Sequence, residues 1–293
     1  MRIALLCGTQ RGVRVLKKLK ELAPSDEILV FSFGEKPWEP LFLATLMQEH
    51  GVRSRYMLPL MDFDLLLAVN WRFIIPPEIY NRARLGAFVF HDSLLPAYRG
   101  FSPTVWAMIN GEEFTGATLF KMSENVDEGN IVSQRMVQIG PQETVAEVME
   151  KVTEAYLNIL ETNLPDMLSG VVSSLPQVGE ASYCCRRLPS DNRINWNDSS
   201  QNIFNLVRAV TAPYPGAWTT VNGRKLTIWA ATFPSTSPFY AGRLAGRVVS
   251  IWNDGVIVMT GDGLLFLTRV QFEGEPEANA ADVLKSLSLT LGT

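Results

Sequence analysis

Two runs without a single polar side chain, Leu65-Leu66-Leu67-Ala68-Val69 and Ala87-Phe88-Val89-Phe90, constrain this chain more than any other feature. A strand that alternates apolar and polar residues keeps one face wet. A strand apolar at every position is covered on both faces, as central strands of parallel α/β sheets are. The surrounding sequence completes that pattern. Arg2 to Leu6 and Glu27 to Phe33 read as further strands, and amphipathic helices are expected from about Thr9 to Leu22 and from about Glu39 to His50. This alternation predicts an α/β fold with a doubly wound, mostly parallel, Rossmann-like sheet. Ala117 to Met122 and Ile131 to Ile139 add two strands around a polar loop. The helix that follows has Thr144 and Glu147 as a capping box, Val145, Val148, Val152, Tyr156 and Ile159 as its buried stripe, and Gly170 as its stop after Pro165.

Past Gly170, Ser, Pro, Gly and Asn punctuate the chain as far as about Asn202, as in a linker. A short helix is expected from about Ile203 to Ala212, ending at Pro213-Tyr214-Pro215-Gly216. Short strands follow at Ala217 to Val221, Arg224 to Ala231, Gly246 to Trp252, Val256 to Thr260 and Leu264 to Gln271. Asn222-Gly223 between the first two is a strong hairpin signal. Strands this short and this closely spaced predict a small OB-like β-barrel. The expected organisation is a first domain over residues 1–183, a linker over 184–202 and the OB-like domain over 203–293.

With 293 residues, 47% hydrophobic and 19% charged, the chain has the balance of an ordinary globule with room for two cores. No run of about 18 apolar residues spans a bilayer, and Met1 to Gly8 is too soon broken for a secretory signal, so a cytoplasmic protein without membrane association is expected. Cys7, Cys184 and Cys185 form no even disulfide framework and lack the spacing of metal ligands; they are read as reduced and structural, with no metal site. A net charge of -4, with seven Lys/Arg against six Asp/Glu from Ser200 onward, argues against a nucleic-acid partner and for a small-molecule substrate.

Of the two histidines, His50 sits in Gln48-Glu49-His50-Gly51, where a cation complements the end of a helix stopped by glycine. His91 follows an apolar strand at the edge where open α/β sheets bind ligands, with Pro96 and Gly100 fixing the next loop. The alternative is a half-buried histidine bonded to backbone. Asp127, in Glu124-Asn125-Val126-Asp127-Glu128-Gly129, is by itself readable as a turn aspartate bonding its own backbone. Beside an imidazole, a carboxylate instead holds the ring and raises its pKa, as a proton acceptor near neutral pH requires. Gly8-Thr9-Gln10-Arg11-Gly12 is not a dinucleotide fingerprint; it reads as a turn with Thr9 as helix cap.

These residues resemble a known family. Gly86-Ala87-Phe88 to His91, Ser93-Leu94-Leu95-Pro96, Tyr98-Arg99-Gly100 and Thr118-Leu119-Phe120-Lys121-Met122 with Asp127, Gly129 and Ile131 are similar to the formyltetrahydrofolate-dependent formyltransferases. The likeness continues through Arg186-Arg187, Asp191, Asn195-Trp196 and Val207-Arg208-Ala209-Val210 to Pro213-Tyr214-Pro215-Gly216-Ala217. It is strongest to the nucleotide-sugar amine N-formyltransferases, in particular a domain acting on a UDP-linked 4-amino-pentose, and more distant to methionyl-tRNA formyltransferase. What it implies is transfer of a formyl group from 10-formyltetrahydrofolate to the amine of a nucleotide-linked amino sugar, with His91 and Asp127 handling the amine's proton. A homodimer is the oligomer considered.

The resemblance also implies an asparagine two residues before the histidine, whose amide steadies the oxyanion; losing such a donor costs about 10²- to 10³-fold in rate. Val89 stands there, and valine cannot donate a hydrogen bond. Lost activity, a different acyl group, or a donor from elsewhere would each account for it. Asn70 is the candidate replacement, because it closes the Leu65 to Val69 run and would lie at the carboxyl end of a strand neighbouring Ala87 to Phe90; a plain turn residue is the alternative. Asp92 is unusual beside the histidine and would either raise the pKa of His91 or cap the next turn. By resemblance the pterin lies against Phe73, Ile74 and Ile75 and the loop Ser123, Glu124, Asn125, Val126 to Asp127, with Leu94 and Leu95 nearby; core packing is the alternative for the apolar members. On the sugar side stand Trp71, Tyr98, Arg99 and Phe101, the last in place of an arginine; for the two aromatic residues Trp71 and Tyr98, core is again the alternative. Methionyl-tRNA formyltransferase is disfavoured because Gly34 to Pro40 carries a single lysine where that relative has a basic insertion.

Overall fold

The structure is a computed structural model describing residues 1–33, 52–236 and 238–293. The helix expected from Glu39 to His50, and with it His50 and the stretch Gly34 to Pro40, lies outside the described residues. The chain divides into two compact units. The first comprises Met1–Pro103, Phe114–Gln138 and Glu150–Cys184; the second comprises Thr104–Glu113, Ile139–Met149 and Cys185–Thr293.

The first unit is built on a seven-stranded sheet. In chain order its strands are β1 (Arg2–Cys7), β2 (Glu27–Ser32), β3 (Arg53–Ser54), β4 (Leu65–Val69) and β5 (Ala87–His91). The short β6 (Arg99–Gly100) lies outside that sheet, which continues with β7 (Phe114–Lys121) and β8 (Ile131–Gln138). The spatial order is β3-β2-β1-β4-β5-β7-β8, parallel through β5 and antiparallel from β5 to β7 and β8. β6 pairs in parallel with β9 (Tyr183–Cys184). The two apolar runs are β4 and β5, at the centre as their composition demands, and all of β4 is buried.

Each face of the sheet is covered by its own set of side chains. On one, Leu6, Phe31, Leu66, Ala68 and Ala87 form a core cluster, with Trp71, Ile75, Val89 and Met122 half-buried against it. On the other lies α1 (Thr9–Leu22), whose buried residues Arg11, Gly12, Val15, Leu16 and Leu19 keep helical spacing. Gly12 is required there, since a Cβ on it would stand 2.7 Å from the Cβ of Cys7. Thr9 does not cap this helix. Gly8 holds the cap position, and Thr9 has a left-handed φ of 63°, which turns its hydroxyl to accept from Asn70. In α2 (Val145–Ser169) every residue of the expected stripe is fully buried, and Tyr156 stacks on Phe90 of β5 with ring centroids 4.8 Å apart. The Glu147 carboxylate accepts from both the backbone N–H and the hydroxyl of Thr144.

The second unit carries α3 (Ser200–Val210), which begins earlier than the apolar pattern because the Ser199 hydroxyl caps it by accepting the Asn202 N–H. Its strands β10 (Ala217–Val221), β11 (Arg224–Thr232), β12 (Val248–Trp252), β13 (Gly255–Met259) and β14 (Leu264–Phe272) pair antiparallel in the order β10-β11-β14-β13-β12. The expected hairpin is present: Val221 pairs with Arg224, and Asn222 and Gly223 both take positive φ, 49° and 77°, as a tight hairpin turn requires. Among the described residues no helix is long and apolar enough to cross a membrane.

Candidate active site

His91 is the last residue of β5, buried at 8% exposure, with a polar group facing each ring nitrogen. Nε2 lies 2.8 Å from the carbonyl oxygen of Tyr98. A carbonyl only accepts, so Nε2 carries the proton, and in the neutral ring Nδ1 presents its lone pair. That Nδ1 faces Oδ2 of Asp127 at 3.6 Å. The same carboxylate oxygen accepts the backbone N–H of Gly100 at 2.8 Å, which fixes it on the histidine side of the loop. Both the backbone contact and the carboxylate partner expected for His91 are therefore present, on opposite edges of one ring. A proton arriving at Nδ1 is received beside a carboxylate.

The loop carrying Asp127 is anchored by residues that sequence reasoning assigned otherwise or missed. Asp127 has φ 59°, a left-handed conformation that aspartate tolerates better than most residues but that needs support. Gln177 supplies it: Nε2 donates to the carbonyls of Asp127 at 2.7 Å and Gly129 at 2.9 Å. Arg99, expected on the substrate side, is buried and grips this glutamine. Its Nε and Nη2 donate to Oε1 of Gln177 at 3.2 and 2.7 Å, and its Nη1 donates to Glu128 and to the Tyr183 hydroxyl at 2.7 and 2.8 Å. The fork thus ties the loop residue Glu128 to Gln177 and Tyr183. Gly129 is as tightly fitted, since a Cβ on it would sit 1.7 Å from the carbonyl oxygen of Lys121. Gln177 left no signal in the sequence, because it lies between short elements with no periodicity.

A second polar group occupies the neighbouring strand ends. Parallel register sets Val69 of β4 opposite Phe90 of β5, so Asn70 and His91 end adjacent strands at one sheet edge. Asn70 has φ 50° and accepts at Oδ1 from Nη1 of Arg11, 3.2 Å away, while its Nδ2 donates to Oγ1 of Thr9 at 3.1 Å. Arg11 is only 4% exposed; it forms an ion pair with Asp92 and donates from Nε to Thr153 at 3.0 Å. Its guanidinium lies 4.9 Å from the ring centre of Tyr156, whose hydroxyl donates to the other oxygen of Asp92. Asp92 is thus held by Arg11 and Tyr156, and its charge also acts on the adjacent His91. Burial disfavours ionisation of Asp92, but the adjacent guanidinium and the hydrogen bonds from Tyr156 and Arg11 outweigh it and hold the carboxyl below its usual range. Burial and the Asp92 charge push the Tyr156 hydroxyl well up, keeping it a donor. Arg11, read from sequence only as part of a turn, shares the buried stripe of α1 with Val15 and Leu19, and that spacing is the signal that could have found it.

The other expected residues divide between surface and core. Ile74 and Val126 are exposed, at 85% and 59%, whereas Ile75 and Trp71 pack against the core cluster beside Val89. Phe73 and Trp71 meet edge to face at 5.7 Å, and the Arg55 guanidinium covers Phe73 at 3.7 Å. Leu95 is buried, and its carbonyl accepts from Gln134 at 2.9 Å; Leu94 fills the space left by Gly116, where a Cβ would come within 2.5 Å of it. In the 123–127 loop the Ser123 hydroxyl donates to the Asn125 carbonyl at 2.9 Å, Asn125 donates to Glu128 at 2.9 Å, and Glu124 is exposed. Tyr98 serves His91 through its backbone, and Phe101 is 48% exposed.

A histidine and an aspartate at the edge of a mostly parallel α/β sheet are suited to moving a proton and do not by themselves define one reaction. Comparison with known proteins narrows it. Residues 17–164 match the family model described as Formyl transferase, and residues 188–288 match Formyl transferase, C-terminal domain. The chain belongs to the formyl transferase family. Among solved structures it is similar to HypX from Aquifex aeolicus in complex with tetrahydrofolic acid, at 22% identity and TM-score 0.68, over 97% of this chain and 47% of that one. It is also similar to WlaRD, a sugar 3N-formyl transferase crystallised with dTDP and 5-N-formyl-THF, at 18% identity and TM-score 0.71, over 94% of this chain and 99% of that one. A third is an N-formyltransferase from Helicobacter canadensis in complex with folinic acid and dTDP-3-aminofucose, at 17% identity and TM-score 0.68, over 91% and 98% of the two chains. The chain spans about half the length of HypX. At these identities the likeness is one of fold.

Proposed function

We propose that this chain transfers a formyl group from 10-formyltetrahydrofolate to the amine of a nucleotide-linked amino sugar. The observation that carries the reading is His91, with Nε2 tied to the Tyr98 carbonyl and Nδ1 turned to Asp127 at 3.6 Å. An amine attacking a formyl carbon becomes acidic as the bond forms, and a neutral imidazole nitrogen beside a carboxylate is a suitable acceptor for its proton. Asp127 then faces the imidazolium and stabilises it until the tetrahedral intermediate breaks its bond to the folate nitrogen, which takes up that proton and leaves as tetrahydrofolate.

Negative charge develops at the same time on the formyl oxygen. Val89 offers no donor for it, and Asn70, ending the adjacent strand, is the amide proposed to meet it. For the folate, the fitting features are the half-buried apolar side chains Trp71, Ile75, Val89 and Met122 and the exposed Ile74 and Val126, which a ring system would cover. The donor itself supplies the activated formyl group. WlaRD and the Helicobacter canadensis enzyme, crystallised with dTDP or a dTDP-linked amino sugar, support the acceptor class. The low basic charge of the chain agrees with a small acceptor rather than tRNA.

The test is incubation with 10-formyltetrahydrofolate and a panel of dTDP- and UDP-linked amino sugars, following tetrahydrofolate release and product mass. Turnover with at least one sugar is expected. No turnover with any of them, or faster formylation of methionyl-tRNA, overturns the reading.

A further inference from the structure

We propose that Arg11 is a positioning residue that fixes the Asn70 side-chain amide with its nitrogen toward the formyl site. The inference rests on the reading of Asn70 as oxyanion donor given above. An asparagine amide is nearly symmetric in shape but not in chemistry: one end only accepts, the other carries two N–H donors. A guanidinium only donates, so Nη1 of Arg11 at 3.2 Å selects the Oδ1 end and excludes the flipped amide. The nitrogen end must then point away from Arg11. One of its N–H groups is accepted by Thr9 at 3.1 Å, and among the described residues the other has no protein partner.

The arginine is itself held rigidly. Asp92 neutralises it, Thr153 accepts from Nε at 3.0 Å, and the Tyr156 ring lies beneath the guanidinium at 4.9 Å. These contacts leave Arg11 little freedom to release the amide. A cation on Oδ1 also draws electron density from the amide and makes its remaining N–H a stronger donor, the cooperative effect of chained hydrogen bonds. The arrangement explains why Asp92 follows the histidine: it keeps a guanidinium charged and still at the edge where Asn70 ends.

The experiment is a double-mutant cycle on the full chain, with kcat and KM measured for 10-formyltetrahydrofolate and the best acceptor of the sugar panel. Arg11→Leu deprives the Asp92 carboxylate of its neighbouring guanidinium, so Arg11→Leu/Asp92→Leu, which removes both charges, is made as well. Binding of 5-formyltetrahydrofolate and thermal melting establish that each variant is folded. Asn70→Ala is expected to lower kcat about 100-fold. The Arg11 variants are expected to lower kcat about 10-fold with KM for the folate within twofold of wild type. Adding Asn70→Ala to them is expected to cost much less than 100-fold, because the donor is already misplaced. Full multiplication of the two effects, or an Arg11 variant with wild-type kcat, overturns the proposal. An Asn70→Ala enzyme with wild-type kcat instead overturns the donor reading beneath it. A readout free of turnover is the Asn70 side-chain amide in a nitrogen-15 spectrum. It is expected to shift on adding 5-formyltetrahydrofolate to wild type and not to the Arg11 variants, and the same shift in both contradicts the proposal.

Discussion

Gln177→Glu isolates the anchoring of the Asp127 loop from everything else in the first unit. The substitution keeps the shape of the side chain and an oxygen for Arg99, but it removes the two N–H groups that Gln177 gives to the carbonyls of Asp127 at 2.7 Å and Gly129 at 2.9 Å. Two neutral hydrogen bonds contribute about 1 kcal/mol each, so about 2 kcal/mol is expected from their loss. A carboxylate oxygen now opposes two carbonyl oxygens, which adds to the loss. Asp127 keeps its left-handed φ of 59° only while the surrounding contacts enforce it, at a cost of about 1–2 kcal/mol that relaxation of the loop would recover. The net expectation is a destabilisation of about 2 kcal/mol, equivalent to a urea midpoint lower by roughly 1 M for slopes of about 1–3 kcal/mol/M. Turnover should fall at least tenfold with little change in KM, since the carboxylate facing His91 is displaced while the apolar cluster beside Val89 is untouched. Urea unfolding followed by circular dichroism and initial rates with saturating folate measure the two effects. A variant with wild-type midpoint and wild-type kcat would refute the assignment of Gln177 as the anchor.

Three further outcomes are expected. Gly129→Ala places a Cβ 1.7 Å from the Lys121 carbonyl, which backbone cannot yield cheaply, so it is expected to lower stability by more than about 3 kcal/mol by calorimetry. Cys7, whose thiol burial pushes up to about 12, should resist a thiol reagent at pH 8 while exposed Cys185 reacts at once, and should become reactive only in denaturant. Because the folded Asp92 carboxyl titrates below its unfolded value of about 4, the stability it contributes is complete above that pH and is lost as pH falls through the folded value. Asp92→Asn should therefore be less stable than wild type at pH 7, by about 3 kcal/mol in urea, and show a flatter acid limb.

Much of the first unit was legible because strands covered on both faces are predominantly apolar: the two apolar runs are the central pair β4 and β5. Local chemistry was equally readable where it acts over a few residues, as at Asn222-Gly223 and at Gly170, which takes φ 76° to end α2. His91 and Asp127 could be named because strand ends and polar loops are where α/β sheets put chemistry, and the structure sets them 3.6 Å apart. What escaped were contacts between residues far apart in the chain. Arg11 meets Thr153 across 142 positions and Gln177 meets Asp127 across 50, and no spacing rule connects such partners. Thr9 misled for a related reason. Its hydroxyl suits a helix cap, but a distant asparagine claims it. Arg99 was placed on the substrate side by resemblance alone, and its buried fork meets Glu128, Gln177 and Tyr183, partners no local pattern could have shown.

In the proposed reaction His91 takes the proton of the attacking amine with Asp127 behind it. The most direct test is the rate of formyl transfer by His91→Gln and Asp127→Asn at saturating 10-formyltetrahydrofolate and acceptor, with 5-formyltetrahydrofolate binding measured on the same preparations. The account predicts at least a hundredfold fall in kcat for each, with binding retained, since general-base groups contribute typically about 10²–10⁴-fold. Wild-type turnover by His91→Gln would contradict it.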